Sequence, residues 1–202
     1  VTREFAKKGV IQSAEEYKAL QRSYAPQILA AHYGGQDVTI LSRILFINSD
    51  NITIDTKDIP IPDPWKGTRK SLSIVYRFGE SPNSLNVFVG EADQGRCWVL
   101  KEGNPHQDPE VTLAGSLNVQ GSGIGLVQIH AVVYGLHQIT DTTVYEKLYH
   151  SAVMNTPIPV TNEFFGTEPW HGVGKSAAVI YSFNGQVKAI AGREFSNMRW
   201  DF

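Results

Sequence analysis

The feature that most limits what this chain can fold into is an internal repeat. The segment Pro64 to Phe78 aligns without a gap on Pro169 to Phe183, and seven of the fifteen positions are identical: Pro64, Trp65, Gly67, Lys70, Ser71, Tyr76 and Phe78. Downstream, Gly90 and Trp98 stand in the same relation as Gly192 and Trp200, so all four tryptophans fall into two matched pairs. Upstream, Ile28, Ala30, Tyr33 and Gly34 match Ile129, Ala131, Tyr134 and Gly135. The repeat runs over about 28–98 and 129–200. Self-similarity at this spacing implies a supersecondary unit that is used twice and must bury its apolar surface on further strands or on the other copy.

Within each copy the pattern alternates with period two, the mark of a half-buried strand. Leu72, Ile74, Tyr76 and Phe78 fall on one face, as do Ala177, Val179, Tyr181 and Phe183. Leu85, Val87 and Val89, matched by Val187, Ala189 and Ala191, continue as second strands. The connections differ: copy one uses Gly79 to Asn83, whereas copy two uses Asn184-Gly185, the strongest two-residue signal for a type I′ turn. Each hairpin is expected to present one apolar face, which a lone hairpin cannot bury. Ile28 to Tyr33 and Ile129 to Tyr134 read as further strands, Ile52 and Ile54 as a short one. Asp141 to Tyr149 reads as a short helix capped by Thr140 or Asp141, and Thr39 to Asn48 fits helix or strand. Ser13 and Glu16 form a capping box that leads into a short amphipathic helix. The expected fold is mainly β: a tandem duplication of an antiparallel β-sandwich-like module with a short N-terminal helix and pseudo-twofold symmetry. Its parts are an N-terminal helical segment (1–27), copy one (28–100), a linker and connecting strand (101–128) and copy two (129–202).

Composition removes several classes of function. Eighteen basic and twenty acidic residues give a net charge of −2 without a basic block, so no footprint for nucleic acid exists. No apolar run approaches the ~20 residues of a membrane span. The start at Val1 has neither an apolar signal core nor an initiator Met and is expected to follow a removed segment. A single Cys97 permits no intramolecular disulfide and favours a reducing, cytoplasmic setting, although a secreted chain without bridges would read the same. Asn51 to Thr53 fits a glycosylation acceptor triplet. The sequence sets no oligomeric state.

No catalytic constellation assembles. Cys97 lies beside Arg96, but copy two has Arg199 at the equivalent place, so the thiol reads as incidental. His32, His106, His130, His137, His150 and His171 lack metal-ligand spacing, and neither a metal nor a cofactor is expected. Gly121, Gly123 and Gly125 are followed by strand-like sequence and lack the lysine of a phosphate-binding loop. Asp63, Glu91, Glu168 and Glu194 are the carboxylates from which a glycosidase pair would have to come. The repeated loop is more informative. Asp63, Trp65, Lys66 and Arg69 in copy one, and Glu168, Trp170 and His171 in copy two, place a tryptophan between Pro and Gly beside an acid and a cation. A rigid aromatic among polar groups is the chemistry that stacks on a sugar and bonds its hydroxyls; a tryptophan plugging each sheet would leave the same trace. The expectation is a non-enzymatic, lectin-like binding protein with two unequal homologous sites for a glycan or other small polar ligand. The alternatives are a small hydrolase or lyase with a site at the module junction, and a membrane-damaging or protein-interaction defence protein.

Overall fold

The computed structural model describes residues 26–45, 53–55, 63–78, 85–92, 97–100 and 127–202. The expected N-terminal helix, the Asn51 acceptor, the Gly79 to Asn83 turn, His106 and the glycine-rich Gly121 to Gly125 stretch lie outside these residues. In chain order the elements are β1 (Pro26–Tyr33), β2 (Gln36–Asp37), α1 (Thr39–Leu45), β3 (Thr53–Asp55), β4 (Lys70–Phe78), β5 (Leu85–Ala92), β6 (Cys97–Val99), β7 (Val127–Tyr134), β8 (His137–Gln138), α2 (Thr142–Met154), β9 (Ile158–Pro159), α3 (Asn162–Phe165), β10 (Ser176–Phe183), β11 (Gln186–Arg193) and β12 (Asn197–Met198).

The protein is mainly β, with two four-stranded antiparallel sheets ordered β2-β1-β4-β5 and β8-β7-β10-β11. Each sheet has a β-bulge at the same place. The register skips Leu29 between Ile28 (opposite Tyr76) and Ala30 (opposite Val75), and it skips His130 between Ile129 (opposite Tyr181) and Ala131 (opposite Ile180). A bulge leaves backbone groups unpaired, and each covering helix supplies the missing partner. Arg43 of α1 donates to the carbonyls of Ile28 (2.8 Å) and Leu29 (3.0 Å), and the Ile129 N–H donates to the Tyr149 hydroxyl of α2 (3.1 Å). His130, read in the sequence as a structural strand residue, is the bulged position.

Leu72, Ile74 and Tyr76 pack with Ile28, Ala31, Val38 and Leu41 on the α1 side of the first sheet. Ala177, Val179 and Tyr181 pack with Val144, Tyr145 and Leu148 of α2 on the second. Asp141 caps α2, its carboxylate accepting from the Thr143 N–H at 2.9 Å, and Asn155 ends the helix in the left-handed region. Asn184 and Gly185 both have positive φ, 49° and 78°, as the type I′ turn requires.

The expectation of one apolar face per hairpin is corrected by the strand register. Val75 lies opposite Val87 and Ile180 opposite Ala189, which puts Leu85, Val87, Ala189 and Ala191 on the face away from the helices. Both faces of each hairpin are therefore apolar, and the second face has its own partner. Ala30 and Val75 of one sheet form a buried cluster with Ala131, Ala178 and Ile180 of the other, flanked by Leu85, Val87, Ala189 and Ala191. Most of the side chains in this cluster are small. Each sheet thus carries a helix on its outer face and meets the other sheet through its inner face.

Two short strand pairs, β3 with β6 and β9 with β12, flank the sheets. The sequence pairs Trp98 with Trp200, but their settings differ: Trp98 stands within β6 opposite Ile54, and Trp200 lies beyond β12. Trp200 is buried, and its indole N–H donates to the Ser151 hydroxyl at 3.0 Å.

Candidate functional site

The two Pro-Trp loops are built alike. Thr68 N–H donates to the Trp65 carbonyl (3.2 Å), and Val173 N–H to the Trp170 carbonyl (3.2 Å), closing four-residue turns. Gly67 and Gly172 take the third turn position with φ of 74° and 69°, where a side chain would be strained. Beneath each turn lies a buried lysine. The Lys70 ammonium donates to the carbonyls of Trp65 (3.0 Å) and Thr68 (2.6 Å), and that of Lys175 to those of Trp170 (3.4 Å) and Val173 (3.0 Å). A buried ammonium needs a counter-charge. Lys70 meets Asp63 at 2.9 Å; Lys175 meets Glu194 at 3.2 Å and Glu168 at 3.8 Å. The bond from Lys70, followed by one from the Trp65 N–H, holds the Asp63 carboxyl below its usual pKa.

Each proline rests on the glycine turn that follows the first strand of its sheet. A Cβ on Gly34 would lie 3.1 Å from Pro64 Cγ and 2.9 Å from Lys70 Cδ; one on Gly135 would lie 2.9 Å from Pro169 Cγ and 3.2 Å from Lys175 Cγ. Both glycines have positive φ. Ser71 and Ser176 meet across the two sheets with their hydroxyls 3.2 Å apart. Six of the seven identities between the repeats thus have a packing, turn or bonding duty: Pro on the glycine turn, Gly within the loop, Lys beneath it, Ser across the junction, and Tyr and Phe against the core.

Each tryptophan reaches across to the other loop or its neighbouring strand. Trp65 abuts Gly174, where a Cβ would lie 2.8 Å from its Cη2 atom, and Arg193 lies over its ring at 5.4 Å. The Arg193 guanidinium also donates to the Pro64 carbonyl. In return, Arg69 lies over the Trp170 ring at 5.1 Å while its guanidinium binds Glu91 through two bonds of 2.6 and 2.7 Å. Trp170 is 9% exposed and Trp65 half-buried. The structure therefore brings Asp63, Trp65, Lys66, Arg69, Glu168, Trp170 and His171 to one end of the molecule, as two loops in contact. Lys66 and His171 occupy the exposed loop tips, and the His171 imidazole lies 3.4 Å from Glu168.

The carboxylates weighed for glycoside hydrolysis each face a lysine or arginine: Asp63 on Lys70, Glu91 on Arg69, Glu168 and Glu194 on Lys175, with the His171 imidazole also beside Glu168. The Glu194 side chain is 7% exposed, and the hydroxyl of buried Tyr134 lies within hydrogen-bond distance of Asn162 Oδ1 (2.8 Å) and Glu194 Oε1 (3.2 Å), to one of which its single proton is donated. Burial, followed by the charge of Glu194, raises the Tyr134 pKa, so this phenol acts as a donor. Sequence reasoning weighed Glu194 and missed Tyr134; the signal available was a tyrosine repeated before a repeated glycine. Among the described residues no three His, Cys, Asp or Glu side chains group to hold a metal, and no helix is long and apolar enough to cross a membrane. A shallow cavity of about 470 Å³ lies away from the loops, along α2 between Glu146, Lys147, His150 and Phe164. Comparisons of the chain with known protein families, curated proteins and solved structures return no match.

Proposed function

We infer that the chain is a tandem duplication of one β module, the two copies forming a sandwich between them, and we propose that it is a non-enzymatic binding protein. Its ligand is a small polar molecule, anionic or rich in hydroxyls, held at the paired loop tips. The observation that carries this reading is the cross-bracing of the loops, Trp65 under Arg193 and Trp170 under Arg69. Bracing of this kind fixes the backbone beneath Lys66 and His171, so little conformational freedom is lost when these side chains take up a ligand. The same geometry supports a single composite site in place of two separate lectin-like ones. A tryptophan whose ring is already covered by a guanidinium is a poor stacking surface, whereas Lys66 and His171, which differ between the two loops, are exposed.

Calorimetry on a ligand selected from a glycan and small-anion panel tests this. One equivalent bound per chain is expected, with Lys66→Ala and His171→Ala each weakening that one site about tenfold, the loss of roughly one charge-assisted bond. Two equivalents, each abolished by only one of the substitutions, would restore two independent sites and overturn the composite reading.

A further inference from the structure

Phe195 is the most exposed large apolar side chain among the described residues, at 86%. It also has φ of 66°, a region that bulky residues avoid; among the described residues the other two non-glycine residues at positive φ are asparagines. The conformation is imposed from several sides. Ser196 N–H and hydroxyl both donate to the Arg193 carbonyl (2.9 and 2.6 Å), closing a turn with Phe195 at its third position. Phe195 N–H donates to Val160 (2.9 Å), and Glu194 N–H to Lys175 (2.7 Å). Glycine or asparagine would suit this turn better, and no packing rewards the ring. Strain and exposure together at one residue point to a use outside the fold.

The turn belongs to the loop end. Arg193, at its start, covers Trp65, and the Glu194 carboxylate accepts from the Lys175 N–H (3.1 Å) beneath the Trp170 loop. We propose that Phe195 is the apolar platform of the loop-end site and that the ligand is a carbohydrate: the C–H face of a pyranose lies on the ring, and its hydroxyls bond Lys66 and His171. This rests on the binding reading above. A simple anion would use the cations and leave the phenyl ring idle, and an apolar ligand would do the reverse; a hydroxyl-bearing ring uses both.

The test screens the protein against immobilised neutral oligosaccharides, with sodium sulfate as the anionic control, and measures the tightest binder by calorimetry. Phe195→Gly, which relieves the turn, is expected to melt no lower than the wild type and to lose about tenfold or more in affinity, whereas Phe195→Trp keeps affinity within about threefold. Unchanged affinity in Phe195→Gly overturns the platform; if Lys66→Ala and His171→Ala still weaken binding, the loop-end site stands without it. Binding of sulfate but of no oligosaccharide overturns the carbohydrate assignment. No binding of either probe overturns both the assignment and the binding reading.

Discussion

His32 is buried on the inner face of the first sheet, and among the described residues neither ring nitrogen has a hydrogen-bond partner. Its counterpart in the second sheet is Val133: His32 lies opposite Ser73 and Val133 opposite Ala178. Burial pushes the His32 pKa down to about 4, against an opposing pull from Asp37. The unfolded chain takes up this proton near 6.5 and the folded chain near 4, so the contribution is complete above pH 6.5 and is lost as the pH falls between the two. The loss amounts to roughly 3 kcal/mol. His32→Val is expected to flatten that part of the profile and to be more stable at neutral pH by about 1 kcal/mol, the cost of an unsatisfied buried polar group. Urea denaturation of both proteins at pH 7 and pH 4.5 checks this; equal losses of stability on acidification would contradict it. Neighbouring loop residues separate structural from surface roles in the same way. Trp170→Ala should cost about 3–5 kcal/mol, while His171→Ala, with its side chain 93% exposed, should change stability by less than about 0.5 kcal/mol. Thermal melts of the pair suffice, and a mild Trp170→Ala would show that the indole is not part of the packing.

Two loops of one design differ in how their central lysine is neutralised. Lys175 faces Glu194, which is 7% exposed, whereas Lys70 faces Asp63, which is 42% exposed. Removing Lys175 leaves a buried carboxylate without its cation, so Lys175→Met should cost about 3–5 kcal/mol. Lys70→Met loses two bonds to carbonyls and frees an acid already in water, for about 1–2 kcal/mol; equal penalties from denaturant titrations would contradict the asymmetry. At this scale much was legible in the sequence. The β strands, the Asn184-Gly185 turn and the Asp141 cap follow from local rules that act over a few residues. The hairpin faces were misread, although in copy two the information was present. A two-residue turn pairs Phe183 with Gln186 and hence Tyr181 with Lys188, which forces Ala189 and Ala191 onto the opposite face. In copy one the longer connection conceals that register. The bulges at Leu29 and His130 left no trace, because they depend on Arg43 and Tyr149 reaching back from helices whose packing is not local. The duty of Trp65 and Trp170 was hidden for the same reason: their partners, Arg193 and Arg69, lie in the other copy.

Among the described residues, the two sheets share a cluster of mostly small side chains, and the Trp65 and Trp170 loops each set a tryptophan against an arginine of the other loop or its neighbouring strand. If the two copies were independent, neither the Ala30 and Val75 cluster with Ala131, Ala178 and Ile180 nor the loop bracing would exist. Ser71 and Ser176 meet at this junction, 105 positions apart in the chain, with hydroxyls 3.2 Å from one another. Cysteines at the two sites would bring their sulfurs into the same contact, where a disulfide can form. In a Cys97→Ser background, Ser71→Cys with Ser176→Cys is predicted to oxidise rapidly to an intramolecular disulfide in the folded monomer. Peptide mapping would identify it, and the link would be lost when the protein is oxidised in denaturant at low concentration and compared at equal times. Cysteines that remain reduced in the folded protein, or that link only between chains, would contradict the opposed sheets on which the loop-end site depends.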